Sequence, residues 1–472
     1  MKPTSPGPNG FTVTFWGAAR TVTGSMHLVE AAGRRILLDC RLFQGRRAEA
    51  RKRNTDFPFK PATIDAVVLS HAHTDHCGNL PNLVRQGFSG PIYCTPATRD
   101  LTAIMLADSA KIQEEDAAYL NRKRPRGEPL IEPLYTRRDA HRTVRICQAV
   151  PYDRPVELFR GVQMRLVDAG HLLGSAMVSL SVEAGKEMRL TFTGDLGRRG
   201  TPILRDPDPV PLADLLISES TYGGRTHEPV DLLAESLGEV VRRVAGRGGK
   251  LLVPAFSLGR TQTLVYFLHR LMNEGRLPAL PIFVDSPLAS EATEVFRLHP
   301  ECFDEETALL LEDDPDVFGE KRIRYVRAVE ESKQLNDLRD PCIIIAASGM
   351  CEAGRILHHL KHNIEDERNA VLIVGYQAPE TLGKRLVERR PEVRILEHYY
   401  KLRAEVVVMN GFSAHADRQD FLDYLGPLSG QVQAVRLVHG EPEQSEALAG
   451  SLRGRGFADV AIPDRGDSVH LN

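Results

Sequence analysis

A chain of 472 residues is longer than one ordinary domain, so two hydrophobic cores are expected. Its 60 Lys and Arg against 63 Asp and Glu leave a net charge of −3, which excludes attraction to nucleic acid by bulk charge and leaves that to local basic clusters. No apolar run reaches about 18 residues, which excludes a membrane-spanning helix. Seven cysteines, an odd number without a Cys-x-x-Cys pair, fit reduced thiols. The Pro/Gly-rich stretch 1–10 has no secretory apolar region, so a cytoplasmic protein is expected.

Residues 11–16, 25–30 and 34–39 alternate as strands do, with Ala32-Gly33 as a turn. The apolar run 64–69 reads as a buried strand, and it opens into Ser70-His71-Ala72-His73-Thr74-Asp75-His76. On an extended chain side chains alternate, so His71, His73 and Asp75 point one way and His76 follows at the turn into a helix. Imidazole nitrogens and carboxylate oxygens are ligands for borderline metals such as zinc, and this density suggests two ions rather than one.

A helix over 78–86 and a strand over 92–95 follow. A long amphipathic helix then spans about 98–124, with Leu101, Met105, Ala107, Ile112 and Ala117 as its apolar stripe. Basic clusters lie at 46–53, at 121–126, and at Arg137, Arg138, Arg142 and Arg145. Singly these are solvated faces; gathered on one rim they become phosphate contacts. Runs at 156–159, 162–167, 177–182 and 188–193 read as a second sheet. From about 215 the texture changes: near-continuous apolar runs at 250–256, 281–285, 342–347 and 370–375 alternate with helices at about 232–244, 260–273 and 381–389. That pattern describes a parallel sheet covered on both faces. The first texture resumes with strands at 405–409 and 432–438. One domain is thus inserted in another, with expected limits 1–222, 223–403 and 404–472. His358, His359 and His362 read as surface residues of an exposed helix.

His-x-His-x-Asp-His after an apolar strand, with Gly78 next but one, resembles the metallo-β-lactamase superfamily of two-metal hydrolases. That resemblance implies an α/β fold, an αββα sandwich with an inserted parallel-sheet domain. The stretch 17–25 and Leu42-Phe43-Gln44-Gly45 resemble one bacterial branch, although Arg41 stands where that branch often has glycine. Glu219 in Ser-Glu-Ser-Thr-Tyr-Gly, His415 in Phe-Ser-Ala-His-Ala-Asp and His439 in Leu-Val-His-Gly-Glu resemble motifs A, B and C of the β-CASP nucleases. Histidine rather than valine at motif C is the pattern of the RNA-acting members. No KH-like module precedes the first strand, and few residues follow His439, so a minimal two-domain form is expected.

The resemblance assigns His71, His73 and His171 to one metal, and Asp75, His76 and His439 to the other, with Asp195 bridging. Two zinc ions per chain are implied, with manganese as the alternative. Asp39 would brace the metal-binding loop. A water activated between the metals would attack phosphorus, and His415 would protonate the leaving 3′-oxygen, its acid form favoured by Glu219 or Asp417. Ser413, the turn Ser348-Gly349-Met350 and Arg385 would hold a flanking phosphate. The inserted domain is expected to act as a lid that admits single-stranded RNA and excludes a duplex. Endonucleolytic and 5′-to-3′ exonucleolytic cutting both fit, and a homodimer is one assembly the sequence allows. The competing readings are a thioesterase or lactonase, and a non-catalytic RNA-binding subunit.

Overall fold

The computed structural model describes residues 10–43, 47–125, 127–184, 186–278, 280–313, 316–319, 321–378 and 380–471. Gln44 and Gly45 of the motif-like stretch, Arg46 and Arg126 of the basic clusters, and residues 1–9 lie outside the described residues. Two compact units emerge. The first comprises residues 1–199, 206–226 and 415–472; the second comprises 200–205 and 227–414.

The first unit is built on two seven-stranded sheets. One runs, in spatial order, Ser468–Leu471, Phe11–Phe15, His27–Ala31, Arg34–Leu38, Ala66–Val68, Ile92–Cys94 and Cys147–Ala149. Its hairpin turns at Ala32 and Gly33, both with positive φ (48° and 73°), the tight connection whose twist matches the flanking strands. From Arg34–Leu38 onward this sheet is parallel, so its strand ends gather on one edge. The other sheet runs Val460–Ala461, Ala434–Val438, Leu215–Glu219, Lys186–Phe192, Ala176–Ala184, Val162–Asp168 and Val156–Phe159.

Period-two patterning builds the core between the sheets. Phe11, Val13 and Phe15 from one sheet meet Leu166, Leu180, Leu190, Phe192 and Ile217 from the other. Helices cover the outer faces. Leu83, Leu106 and Ala140, from the helices Leu80–Arg85, Pro96–Lys123 and Arg137–Arg145, pack on Leu37, Val67 and Leu69. Phe421, Leu425, Leu448 and Leu452, from Arg418–Leu425 and Pro442–Gly454, pack on Leu216, Val435 and Leu437. The layers are therefore α, β, β, α, as the resemblance implied.

The long helix buries Leu101, Leu106, Ala110 and Ala117, whereas Ala107 and Ile112 of the expected stripe are exposed. The buried set steps by four, five and seven residues, and the sequence carried enough alanines to support either phase.

The second unit holds a six-stranded parallel sheet in the order Ile323–Tyr325, Ile282–Asp285, Ile343–Ala346, Leu251–Pro254, Ala370–Ile373, Glu405–Val408. Its central strands are buried on both faces, which is why they read as unbroken apolar runs. Glu405–Val408 pairs with Ala370–Ile373 and so belongs to this sheet, not to the first texture. A four-residue run of this kind carries no mark of which sheet it will join. His359 is a second correction: it is fully buried, with Nε2 2.6 Å from Asp285 Oδ2 and Nδ1 2.9 Å from Asn336 Oδ1, while His358 and His362 stay exposed. Among the described residues no helix is long and apolar enough to cross a membrane.

Candidate metal centre

Four turns at strand ends of the first unit bring the sequence-predicted ligands together. His71, His73 and Asp75 lie in and after the loop that follows Ala66–Val68, and the short helix Thr74–Cys77 carries His76. Gly78 ends that helix where a Cβ would sit 2.4 Å from Thr74 O and 2.8 Å from Leu42 Cβ, so the turn closes only on glycine. His171 follows Val162–Asp168, Asp195 follows Lys186–Phe192, Glu219 ends Leu215–Glu219, and His439 follows Ala434–Val438. His415 begins the segment that returns to this unit and bridges Gly197.

The donor atoms fall into two adjoining groups. His71, His73, His171 and Asp195 each offer one atom within 4.8 Å of the others, as do Asp75, His76 and His439. Asp195 faces both. Its Oδ2 is 3.4 Å from His71 Nε2 and 3.6 Å from His171 Nε2, and its Oδ1 is 3.4 Å from His76 Nε2 and 3.6 Å from His439 Nδ1.

The donor set fits divalent cations on four grounds. His73 Nδ1 lies 3.0 Å from His71 Nε2 and 3.3 Å from His171 Nε2, while His76 Nε2 lies 3.3 Å from His439 Nε2. Two nitrogens bound tetrahedrally at about 2.0–2.1 Å would stand about 3.3 Å apart. Burial, reinforced by neighbouring imidazoles, holds His71 and His171 well below the usual imidazole range, and burial brings His73 to about 4. They are therefore neutral, the state in which an imidazole nitrogen donates its lone pair to a metal. His76 goes the other way: burial lowers it, but the carboxylates of Asp195, Asp39 and Asp75 outweigh burial and raise it, the response of a pocket with excess fixed negative charge. Asp75 is lowered to about 2, the histidines His76 and His439 overcoming its burial. Asp195 Oδ1 is moreover buried with no hydrogen-bond partner.

Around these atoms stands a layer of braces. Asp39, fully buried with φ 59°, accepts from Ser25 Oγ (3.0 Å), Ser70 N (2.8 Å) and Ser70 Oγ (3.0 Å). Its Oδ2 also lies 2.7 Å from His76 Nδ1, which fixes the ring so that Nε2 faces the centre. Thr221 does the same for His439, its Oγ1 3.1 Å from Nδ1 and 2.9 Å from the backbone oxygen. Ser175 Oγ accepts from the backbone N–H groups of His171 and Leu172 and so shapes the His171 turn. Ser70, Thr221 and Ser175 were not picked out from the sequence, where only their adjacency to ligand positions marks them.

A third grouping joins Asp195, Glu219 and His415. Glu219 is fully buried; Oε1 accepts from Leu196 N (2.7 Å), Oε2 accepts from Thr221 N (3.2 Å), and Oε1 lies 3.0 Å from His415 Nδ1. Burial lowers the His415 pKa, but Glu219 first and then Asp195 and Asp75 outweigh it and leave it raised. The His415 side chain retains 21% exposure. Asp417, the other carboxylate considered for this histidine, caps the helix Arg418–Leu425 by accepting from Gln419 N (2.8 Å) and Asp420 N (3.0 Å).

Ser413, Ser348, Gly349 and Arg385 belong to the second unit. Ser348 Oγ accepts from Glu352 N and Ala353 N within its own turn, and Gln377 Nε2 donates to Gly349 O. Ser413 is buried with its N–H on Asn410 O, and Arg385 Nη2 donates to Glu380 O.

Residues 19–255 match the profile of the metallo-beta-lactamase superfamily, 261–386 that of the Beta-Casp domain, and 399–463 that of the Zn-dependent metallo-hydrolase RNA specificity domain. The chain is 38% identical over 454 residues to Ribonuclease TTHA0252 of Thermus thermophilus, covering 96% of this chain and 98% of that one. It belongs to the β-CASP branch of the metallo-β-lactamase superfamily. The chain is also similar to the transcription termination factor FttA of Methanocaldococcus jannaschii, 31% identical over 97% of this chain and 71% of that protein. A crystal structure of a protein of unknown function from Enterococcus faecalis V583 shares the fold at 15% identity, with a TM-score of 0.54 over 98% of this chain and 100% of that one. A divalent-metal chemistry goes with this family and with the histidine and aspartate clusters.

Proposed function

We propose that this β-CASP protein is a cytoplasmic ribonuclease that hydrolyses phosphodiester bonds of single-stranded RNA with two zinc ions. The observation that carries the reading is Asp195, whose two oxygens face two separate histidine clusters beside a carboxylate-paired histidine, in a chain so similar to a named ribonuclease. His71, His73 and His171 would hold one cation, Asp75, His76 and His439 the other, and Asp195 both. The cations would supply Lewis acidity, offsetting charge on the phosphate and lowering the pKa of water.

The protein's own share is orientation and proton handling. Asp39 and Thr221 keep His76 and His439 turned toward the centre. Glu219 takes the Nδ1 side of His415, which leaves Nε2 to carry a proton toward substrate. Glu219 also helps hold that imidazole in its acid form nearer neutrality. As water's oxygen bonds to phosphorus, giving up one proton to solvent, the bond to the 3′-oxygen breaks and the Nε2 proton passes to that oxygen, giving a 3′-hydroxyl and a 5′-phosphate.

The test is cleavage of unstructured RNA labelled at either end, by wild type and by His415→Ala, with and without a chelator. Wild type should cut in a chelator-sensitive way, and the variant should keep its metal content while losing turnover by about 10²–10⁴-fold. Equal rates would remove His415 from the acid role. Turnover of a thioester or lactone with none of RNA would overturn the whole reading.

A further inference from the structure

The helix Arg137–Arg145 carries four arginines and one histidine in nine residues. Ala140 and Thr143 are buried on one side, so the exposed side consists of Arg137, Arg138, His141, Arg142 and Arg145. Arg137 is engaged by Glu114 of the long helix, Nε to Oε2 at 3.0 Å. The helix's one acid, Asp139, is spent in a capping box with Thr136. Among the described residues no ion pair or side-chain hydrogen bond engages Arg138, Arg142 or Arg145.

Helix energetics give no reason for this set. Arg138 sits in the first turn, at the positive end of the macrodipole, where an acid would be favoured. Arg138 and Arg142 are like charges four residues apart, and Arg142 and Arg145 three apart, spacings that repel. The helix is held instead by its cap and by packing of the buried Ala140 and of Tyr135, whose hydroxyl lies 2.8 Å from Ser109 Oγ of the long helix. The three unpaired guanidinium groups rise over about 10 Å of helix, so consecutive phosphates of one strand can each meet a separate cation. No exposed residue of the helix is apolar, unlike an amphipathic helix that enters a bilayer.

The long helix relates this face to the metal centre. Near its start Thr95 and Thr98 both donate to Gly174 O in the His171 turn, and further along Glu114 meets Arg137. Sixteen residues of helix separate Thr98 from Glu114, or about 24 Å.

We propose that the Arg138–Arg142–Arg145 face is a secondary RNA-binding surface. It holds the backbone of a long substrate away from the scissile bond, without reading bases. The proposal rests on the ribonuclease reading for its choice of polyanion. An RNA of about three nucleotides is too short to span the two places, so the surface acts on longer substrates alone and lowers their KM by raising local concentration.

The experiment compares wild type, R138Q/R142Q/R145Q and R138K/R142K/R145K on unstructured RNAs of about 40 and about three nucleotides. Cleavage is read as KM and kcat, and binding by fluorescence anisotropy in a His415→Ala background. The glutamine variant should raise KM for the long RNA about tenfold, leave kcat and the short RNA unchanged, and flatten the dependence of log affinity on log salt by about 2, from three contacts at about 0.7 each. The lysine variant should stay near wild type. Unchanged long-RNA affinity and salt slope in the glutamine variant would overturn the proposal, as would arginine-dependent binding to phosphatidylserine vesicles without an effect on RNA. If wild type binds RNA but cuts neither length, the ribonuclease reading fails while the anisotropy comparison still decides the surface.

Discussion

Glu219→Gln isolates the electrostatic role of one buried carboxylate. Glu219 Oε1 lies 3.0 Å from His415 Nδ1, and the carboxylate is fully buried. A unit-charge pair at about 4 Å and an effective dielectric of about 20 is worth about 4 kcal/mol. That attraction favours the imidazolium over the neutral ring. Burial alone lowers the His415 pKa, and Glu219 leads the groups that raise it, so an amide should let it fall. The acid form is then lost at lower pH, and the alkaline limb of the rate profile should move to lower pH. The amide nitrogen would also face Thr221 N, one donor against another, at a cost of about 1–3 kcal/mol in stability. The assay is single-turnover cleavage of end-labelled RNA from acid to alkaline pH, with metal content and Tm measured in parallel. Superimposable pH profiles for wild type and variant, with metal retained, would refute the argument.

Asp39→Asn removes acceptor capacity beneath His76, because four donors now share a carboxylate and an amide offers one oxygen. Zinc affinity, measured against a chromophoric chelator, should fall about 10- to 100-fold, and wild-type affinity would sink the idea. Gly174→Ala places a Cβ 2.6 Å from Thr98 N in a residue with φ 78°, so the His171 turn must shift; lower Tm together with reduced zinc stoichiometry is expected, and a change in neither would count against it. In the second unit Asp285 is buried and receives Ser332 Oγ (2.5 Å), Arg355 Nη1 (2.6 Å) and His359 Nε2 (2.6 Å). Asp285→Asn leaves Arg355 without its charge and should cost about 3–5 kcal/mol in denaturant unfolding. Burial raises the Asp285 carboxyl, but His359, Ser332 and Arg355 outweigh it and leave it below its ordinary 3.8. A depressed carboxylate stabilises fully above its unfolded pKa and loses that contribution as pH falls through the folded value. The Tm difference between wild type and Asp285→Asn should therefore close at acid pH; a gap constant with pH would contradict the assignment.

The sandwich was legible at its first strand, where Phe11, Val13 and Phe15 alternate with Thr12 and Thr14, so the apolar period of two survives in the sequence although every position is buried. The first four metal-ligand candidates were legible for another reason, that no packing role asks for His71, His73, Asp75 and His76 side by side. His171, Asp195 and His439 each stand alone beside glycine, and only the resemblance singled them out. What the sequence hid depends on partners far along the chain. Nothing local to His359 announces that Asp285 will meet it. Nothing in a Glu-Val-Val-Val run tells one parallel sheet from another. Ser70, Ser175 and Thr221 are ordinary hydroxyls until the fold sets them behind ligands.

Those hydroxyls and carboxylates also bear on how the centre works. His71 Nδ1 lies 3.1 Å from Ser70 Oγ, and the Nδ1 atoms of His76, His439 and His415 face Asp39, Thr221 and Glu219. Their ring directions are thus set by contacts within the protein, and cations would arrive at donors already aimed, with little ordering left to oppose binding. His73 and His171 lack such a contact among the described residues, the His73 ring meeting His71 and His171 through Nδ1. The His171 backbone N–H is tied to Ser175, but its Nδ1 is buried with no hydrogen-bond partner, and its ring lies 4.4 Å from that of His415, centroid to centroid. This candidate ligand is therefore packed against the proposed acid, so a shift of the His171 ring is expected to move the His415 imidazole with it.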